Sequence, residues 1–192
     1  MHKKRGFEII SSYQDCEIEL PKRQTRLSAG YDLAAAETVV LPSYWEKLLV
    51  YFLKKIGIKT FISDEEGTRN VYDDQIWNAT LVPTGLKAYM QEDEYLKIVN
   101  RSSGSYRHFT SLPNGIGIID ADYYGNPNNE GHIYVQLINY GIKSRTIKKG
   151  ERIAQAIFTK YLLMDNDQAS QDIRVGGFGS SDQENVQENG VE

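Results

Sequence analysis

Over several short stretches apolar and polar residues alternate with period two, the spacing that puts every second side chain on one face of a half-buried strand. The clearest is 132–138, where Ile133, Val135 and Leu137 share a face; residues 7–10, 38–41, 79–90, 94–99 and 152–161 follow the same rule. Turn formers punctuate these runs: Gly30, Pro42, Pro83, Pro113-Asn114-Gly115, Gly125-Asn126-Pro127, Gly141 and Gly150. Many short strands with frequent turns predict an all-β sandwich, jelly roll or barrel.

One segment keeps a different period. Trp45, Leu48, Leu49, Phe52, Leu53 and Ile56 form the stripe of an amphipathic helix over about residues 44–56. Ser43 and Glu46 match the S-x-x-E capping box, and Gly57 supplies a stop. The stripe must cover something: the flank of the barrel, a neighbouring copy, or an outside partner. Residues 58–78 read as a hairpin around Glu66-Gly67. From about Asp165 the chain turns polar, and beyond Ser181 it is rich in Gln, Asn and Glu, a disordered composition. The expected organisation is one domain over residues 1–164, with 43–78 as an insertion, followed by a flexible tail, 165–192.

Bulk composition narrows the setting. A chain of 192 residues, 40% hydrophobic and 25% charged, suits one good core. Cys16 is the single cysteine, so no internal disulfide forms and a reducing compartment is expected. The apolar run of Phe7, Ile9 and Ile10 is too short for a signal peptide, and 48–53 is far short of the roughly 20 residues of a membrane span. A cytoplasmic location and no membrane partner are therefore expected. The formal charge of −4 is spread without long single-sign blocks. That disfavours direct nucleic-acid binding but leaves open a nucleotide neutralised by a metal and a few arginines.

Five short constellations could carry chemistry. In Gly117-Ile118-Ile119-Asp120-Ala121-Asp122-Tyr123-Tyr124-Gly125 an apolar run delivers two carboxylates at i and i+2, on one side of a strand if the strand continues, or on a solvated turn if it does not. Asn100-Arg101-Ser102-Ser103-Gly104-Ser105 gathers a guanidinium, hydroxyls and amides suited to phosphate oxygens, or simply an exposed polar loop. In Arg174-Val175-Gly176-Gly177-Phe178-Gly179-Ser180-Ser181, glycines around one ring allow close approach to a ligand and stacking. Ser28-Ala29-Gly30-Tyr31-Asp32-Leu33 and Gly150-Glu151-Arg152-Ile153-Ala154-Gln155 are glycine turns into strands, with one acid and one amide respectively.

Taken in order, these five elements resemble the five motifs of the trimeric, all-β dUTP pyrophosphatases (dUTPases). The resemblance implies a jelly-roll-like dUTPase β-barrel, here with one inserted amphipathic helix, assembled as a homotrimer with active sites between copies. It implies hydrolysis of dUTP to dUMP and pyrophosphate, assisted by Mg2+, which limits uracil incorporation into DNA and supplies dUMP. Carried over residue by residue, Asp120 is the general base that activates water against the α-phosphorus, and Tyr123 packs under the deoxyribose. Asn114 and the backbone around Gly117, Ile118 and Ile119 read uracil. Arg101, Ser102, Ser103 and Gln155 hold the phosphates, and Asp32 contacts a water on the metal. From the tail, Phe178 stacks on uracil while Arg174, Gly179 and Ser180 close over the outer phosphates. The tail motif is one residue shorter before Phe178 than the usual spacing.

Two other readings use the same residues. A dCTP deaminase would share the fold and an Arg-Ser-Ser element. A nucleotide-gated regulatory module would use residues 43–78 to dock a protein partner.

Overall fold

The computed structural model describes residues 3–56 and 78–168. Its strands are β1 (Gly6–Ile9), β2 (Tyr31–Ala34), β3 (Val39–Leu41), β4 (Thr80–Pro83), β5 (Leu86–Tyr89), β6 (Glu94–Asn100), β7 (Thr110–Ser111), β8 (Ile116–Asp120), β9 (Tyr134–Asn139), β10 (Arg145–Ile147) and β11 (Arg152–Lys160). Two helices, α1 (Tyr44–Lys55) and α2 (Ser102–His108), interrupt them. One sheet has the order β2-β11-β6-β8 and a second β4-β9-β7, with the pairs β1-β5 and β10-β3 beside them. Every strand pair is antiparallel.

The period-two pattern becomes the core. Leu96 and Ile98 of β6 point inward, as do Val135 and Leu137 of β9, where they meet Leu33, Leu41, Val82, Leu86, Ile133, Ile147, Ala154 and Ala156. Glu94 occupies an inward position of β6 and would be costly there unpaired. Arg5 answers it with a fork, Nε to Oε2 at 2.9 Å and Nη2 to Oε1 at 2.5 Å, which holds the Glu94 carboxyl below its usual range. The run 79–90, read as one stretch, divides at Pro83-Thr84-Gly85, because Gly85 turns the chain with a φ of +70°.

The predicted helix forms with Ser43 as its cap. The buried Ser43 Oγ accepts from the Trp45 and Glu46 amides at 3.2 and 3.3 Å and donates to the Gly141 carbonyl at 2.6 Å. The capping box closes only halfway, since the Glu46 carboxylate accepts from the Ser144 amide and hydroxyl instead of reaching back to Ser43. Trp45 Nε1 donates to the Tyr140 carbonyl at 3.0 Å. These polar ties, all on the segment before β10, fix α1 to the barrel. Its apolar stripe is not covered by the described barrel: Val50 is buried, whereas Trp45, Leu49, Phe52 and Ile56 are exposed. The expected hairpin in 58–78 lies outside the described residues, apart from Asn78.

Candidate active site

Antiparallel pairing of β2 with β11 sets Asp32 directly opposite Gln155. Asp32 is buried, at 6% exposure, and both of its oxygens accept hydrogen bonds. Arg101 Nε donates to Oδ1 at 3.1 Å, Arg152 Nη1 to Oδ2 at 3.0 Å, and Gln155 Nε2 to Oδ1 at 3.4 Å. Arg101 Nη1 also donates to the Arg152 carbonyl at 3.0 Å. A regular strand would place residues 152 and 155 on opposite faces. Here the ladder slips by one residue between Arg152 and Ala154, so both side chains reach the same carboxylate. Gly30 leaves room for this: a Cβ there would stand 3.3 Å from both Cβ and Oε1 of Gln155.

The Arg101-Ser102-Ser103 element is the start of a helix rather than an exposed polar loop. Arg101 is the extended residue before α2, and Ser102 and Ser103 open that helix, whose first amides lack intrahelical partners. Ser103 and Arg107, four residues apart on α2, share a cleft of about 590 Å³ with Arg101, Arg145 and Arg152. Arg145 is neutralised by Glu151. Arg101 and Arg152 share one carboxylate, and Arg107 has no carboxylate partner among the described residues. The cleft, which Ser103 lines and Ser102 does not, therefore keeps an uncompensated positive charge beside a serine, a fitting environment for phosphate oxygens.

The second cluster lies on β8, the edge strand of its sheet. Asn114 is exposed in the turn before it, and the Gly117 position faces Ile98 so closely that a Cβ would come within 3.2 Å of the Ile98 Cβ and 3.8 Å of Asn114 Nδ2. Ile116 and Ile118 are half exposed on the other face, and Ile119 packs against the core. The strand ends at Asp120, which pairs with Tyr95, and Ala121–Tyr123 form a 3-10 turn. Asp122 is consequently not on a strand face with Asp120: the strand does not continue, so the i, i+2 geometry is lost. Tyr123 is buried; its hydroxyl donates to the His132 carbonyl at 3.2 Å and accepts from Asn129 Nδ2 at 2.7 Å, which ties that end of the ring inward.

The two clusters stand apart in one copy. Asp120 lies beside Tyr95 at the start of β6, and Arg101 follows its last residue, a strand's length of about 20 Å away. Residues 174–181 of the tail lie outside the described residues. Among the described residues no group of three His, Cys, Asp or Glu side chains could cage a metal. Asp32 Oδ2 accepts one hydrogen bond and keeps a lone pair, which fits a contact to one water of a Mg2+ ion. Sequence reasoning gave no separate role to Arg152, although it stands inside the last glycine-turn constellation; the bulge that aims it at Asp32 has no signature in spacing.

The dUTPase family's sequence model matches residues 72–182, more than half of the chain and inclusive of the tail motif. The chain belongs to the dUTPase family. A deoxyuridine 5'-triphosphate nucleotidohydrolase of Lactococcus lactis subsp. lactis (strain IL1403) is 39% identical over 180 residues, which span 93% of this chain and 98% of that protein. The crystal structure of dUTPase from Streptococcus mutans is 37% identical and superposes with a TM-score of 0.63, covering 84% of this chain and 99% of the other. A dUTPase from phage phi11 of S. aureus, whose structure details the coordination of a structural Mg(II) ion, is 15% identical; its TM-score of 0.57 over 88% of this chain and 98% of its own speaks to the fold alone. The expected all-β, jelly-roll-like dUTPase barrel with an inserted helix is the observed one, and the enzyme class is dUTP diphosphatase.

Proposed function

We propose that this dUTP diphosphatase works between copies of the chain, with Asp120 of one copy acting on a triphosphate held by the Asp32-organised cleft of a neighbour. The observation that carries this reading is the distance of about 20 Å between Asp120 and Arg101 along β6. A dUTP polyphosphate is too short to bridge it, so the carboxylate and the arginine serve one substrate only if a second copy closes the gap. A closed homotrimer provides three such sites by symmetry.

In each site the exposed edge of β8 presents alternating N–H and C=O groups, which together with Asn114 can satisfy the uracil edge as a pairing base would. Gly117 keeps that edge flat, and the Tyr123 ring packs under the deoxyribose. Arg101, Ser102, Ser103 and Gln155 hold the phosphates. Asp32 would hold a Mg2+ ion through one of its waters, and the ion would supply neutralisation of the phosphate charge. Asp120 takes a proton from water as the water oxygen bonds to the α-phosphorus. The bond from that phosphorus to the α–β bridging oxygen breaks, leaving dUMP and pyrophosphate. Before this step the tail residues act on the bound dUTP, Phe178 stacking on uracil and Arg174, Gly179 and Ser180 closing over the outer phosphates to exclude competing water.

The Asp120→Asn substitution tests the base. It should lower kcat for pyrophosphate release on the order of 100- to 10,000-fold while dUTP still binds. Parallel assays with dCTP, dTTP and UTP define the substrate. Near-normal turnover by the variant, or ammonia release from dCTP, would overturn the reading.

A further inference from the structure

We propose that Arg152 is a second polyphosphate-contacting guanidinium, held ready for the ligand by the buried Asp32 carboxylate. This inference rests on the dUTP reading and deepens it.

Asp32 is a single negative charge facing two guanidiniums. It is buried, and the two arginines differ in what they leave outside: the Arg101 side chain is 20% exposed and that of Arg152 47%. Arg152 uses one terminal nitrogen on Asp32 and lines the cleft together with Arg101, Ser103 and Arg107. A guanidinium has five N–H donors in a rigid plane, so anchoring one edge leaves the other able to take two oxygens of an anion. The anchoring also removes much of the rotamer freedom that an exposed arginine would lose on binding. Two such forks with one shared counter-charge leave a net unit of positive charge, which a phosphate chain completes.

The alternative is a purely positioning role, in which Arg152 merely steadies Asp32 and through it Arg101. The two roles differ in a double-mutant cycle. With the full-length chain, Arg152→Ala should weaken binding of inorganic pyrophosphate with Mg2+ by on the order of tenfold and raise the KM for dUTP similarly. Binding of 2′-deoxyuridine, which carries no phosphate, should change less than about twofold. Arg152→Lys should recover only part of the loss, because an ammonium is a point charge without a fork. In an Arg101→Ala background, a contact made by Arg152 itself still weakens pyrophosphate binding when Arg152 is removed. If the Arg101→Ala protein binds pyrophosphate equally well with and without Arg152, or if Arg152→Ala alone leaves pyrophosphate binding intact, the inference is overturned. A wild-type chain that fails to release pyrophosphate from dUTP sinks the function itself, a separate outcome from either.

Discussion

Acidification should unload a measurable part of this protein's stability through one residue, His132. The imidazole is 4% exposed, lies against the rings of Tyr134 and Tyr13 at centroid distances of 4.1 and 5.4 Å, and accepts the Gly85 amide at Nε2, at 3.0 Å. The neutral form alone can accept that bond. Burial pushes its pKa down from 6.5 to about 4, with Glu37 opposing the shift. Because the folded value is depressed, the unfolded chain binds the proton first. The contribution is complete above pH 6.5, drains away as pH falls toward 4, and changes no further below that. At about 1.4 kcal/mol per unit, the shift amounts to about 3 kcal/mol. For a chain of this size that is on the order of 10 °C in melting temperature between pH 7 and 4. Carboxylates such as Glu94 and Glu130, also held below their usual range, add acid sensitivity of their own. The decisive measurement is therefore a difference. His132→Gln keeps an amide oxygen for the Gly85 N–H but does not titrate, so its melting temperature should fall less steeply than the wild type's over pH 6.5 to 4. Parallel curves for the two proteins would refute the reasoning.

Two further substitutions probe the scaffold around the site. At Gly131, where φ is +83°, an added Cβ would come within 2.4 Å of the Tyr123 carbonyl; Gly131→Ala should cost about 2–4 kcal/mol, read by thermal melting, and raise the KM for dUTP by displacing the tyrosine turn. Ser43→Ala removes the cap of α1 and the donor to the Gly141 carbonyl, and should cost about 1 kcal/mol in denaturant unfolding with kcat unchanged.

The barrel was legible because its strands have one clean buried face. On β6 and β9 the apolar residues fall on alternate positions, and that periodicity survives into the folded core. The α1 boundaries were legible for the same reason, since a cap residue and a period of 3.6 are both local. What the stripe of α1 covers was not, because exposure depends on neighbours far along the chain: Gly141 and Ser144 dock the helix through polar groups rather than through its apolar residues. Of the two readings of Asp120-Ala121-Asp122, the strand end followed by a turn is the one that forms, and the strand continued through Asp122 is not. An apolar run followed by Asp-x-Asp is compatible with an extended strand or with a 3-10 turn, and the Tyr123 hydroxyl, bonded to His132 and Asn129, belongs to the turn.

The candidate site shows where pattern stops and pairing begins. Asp32 and Gln155 each looked like a lone polar residue after a glycine turn, a weak signal by any local measure. Their meaning appears only when β2 is laid against β11 in register, which sets them face to face, and when a one-residue slip in that ladder swings Arg152 to the same side. Arg101 then arrives from β6, on the other side of β11. Three strands distant in sequence thus converge on one carboxylate, and no single motif could have revealed it. The ladder that assembles this arginine-lined end also carries Asp120 a strand's length away on β8, and antiparallel pairing at fixed register cannot shorten that distance. If Asp120 and Arg101 serve one substrate, as proposed above, another copy must complete the site, and on that proposal the geometry of one sheet makes assembly a condition of the chemistry.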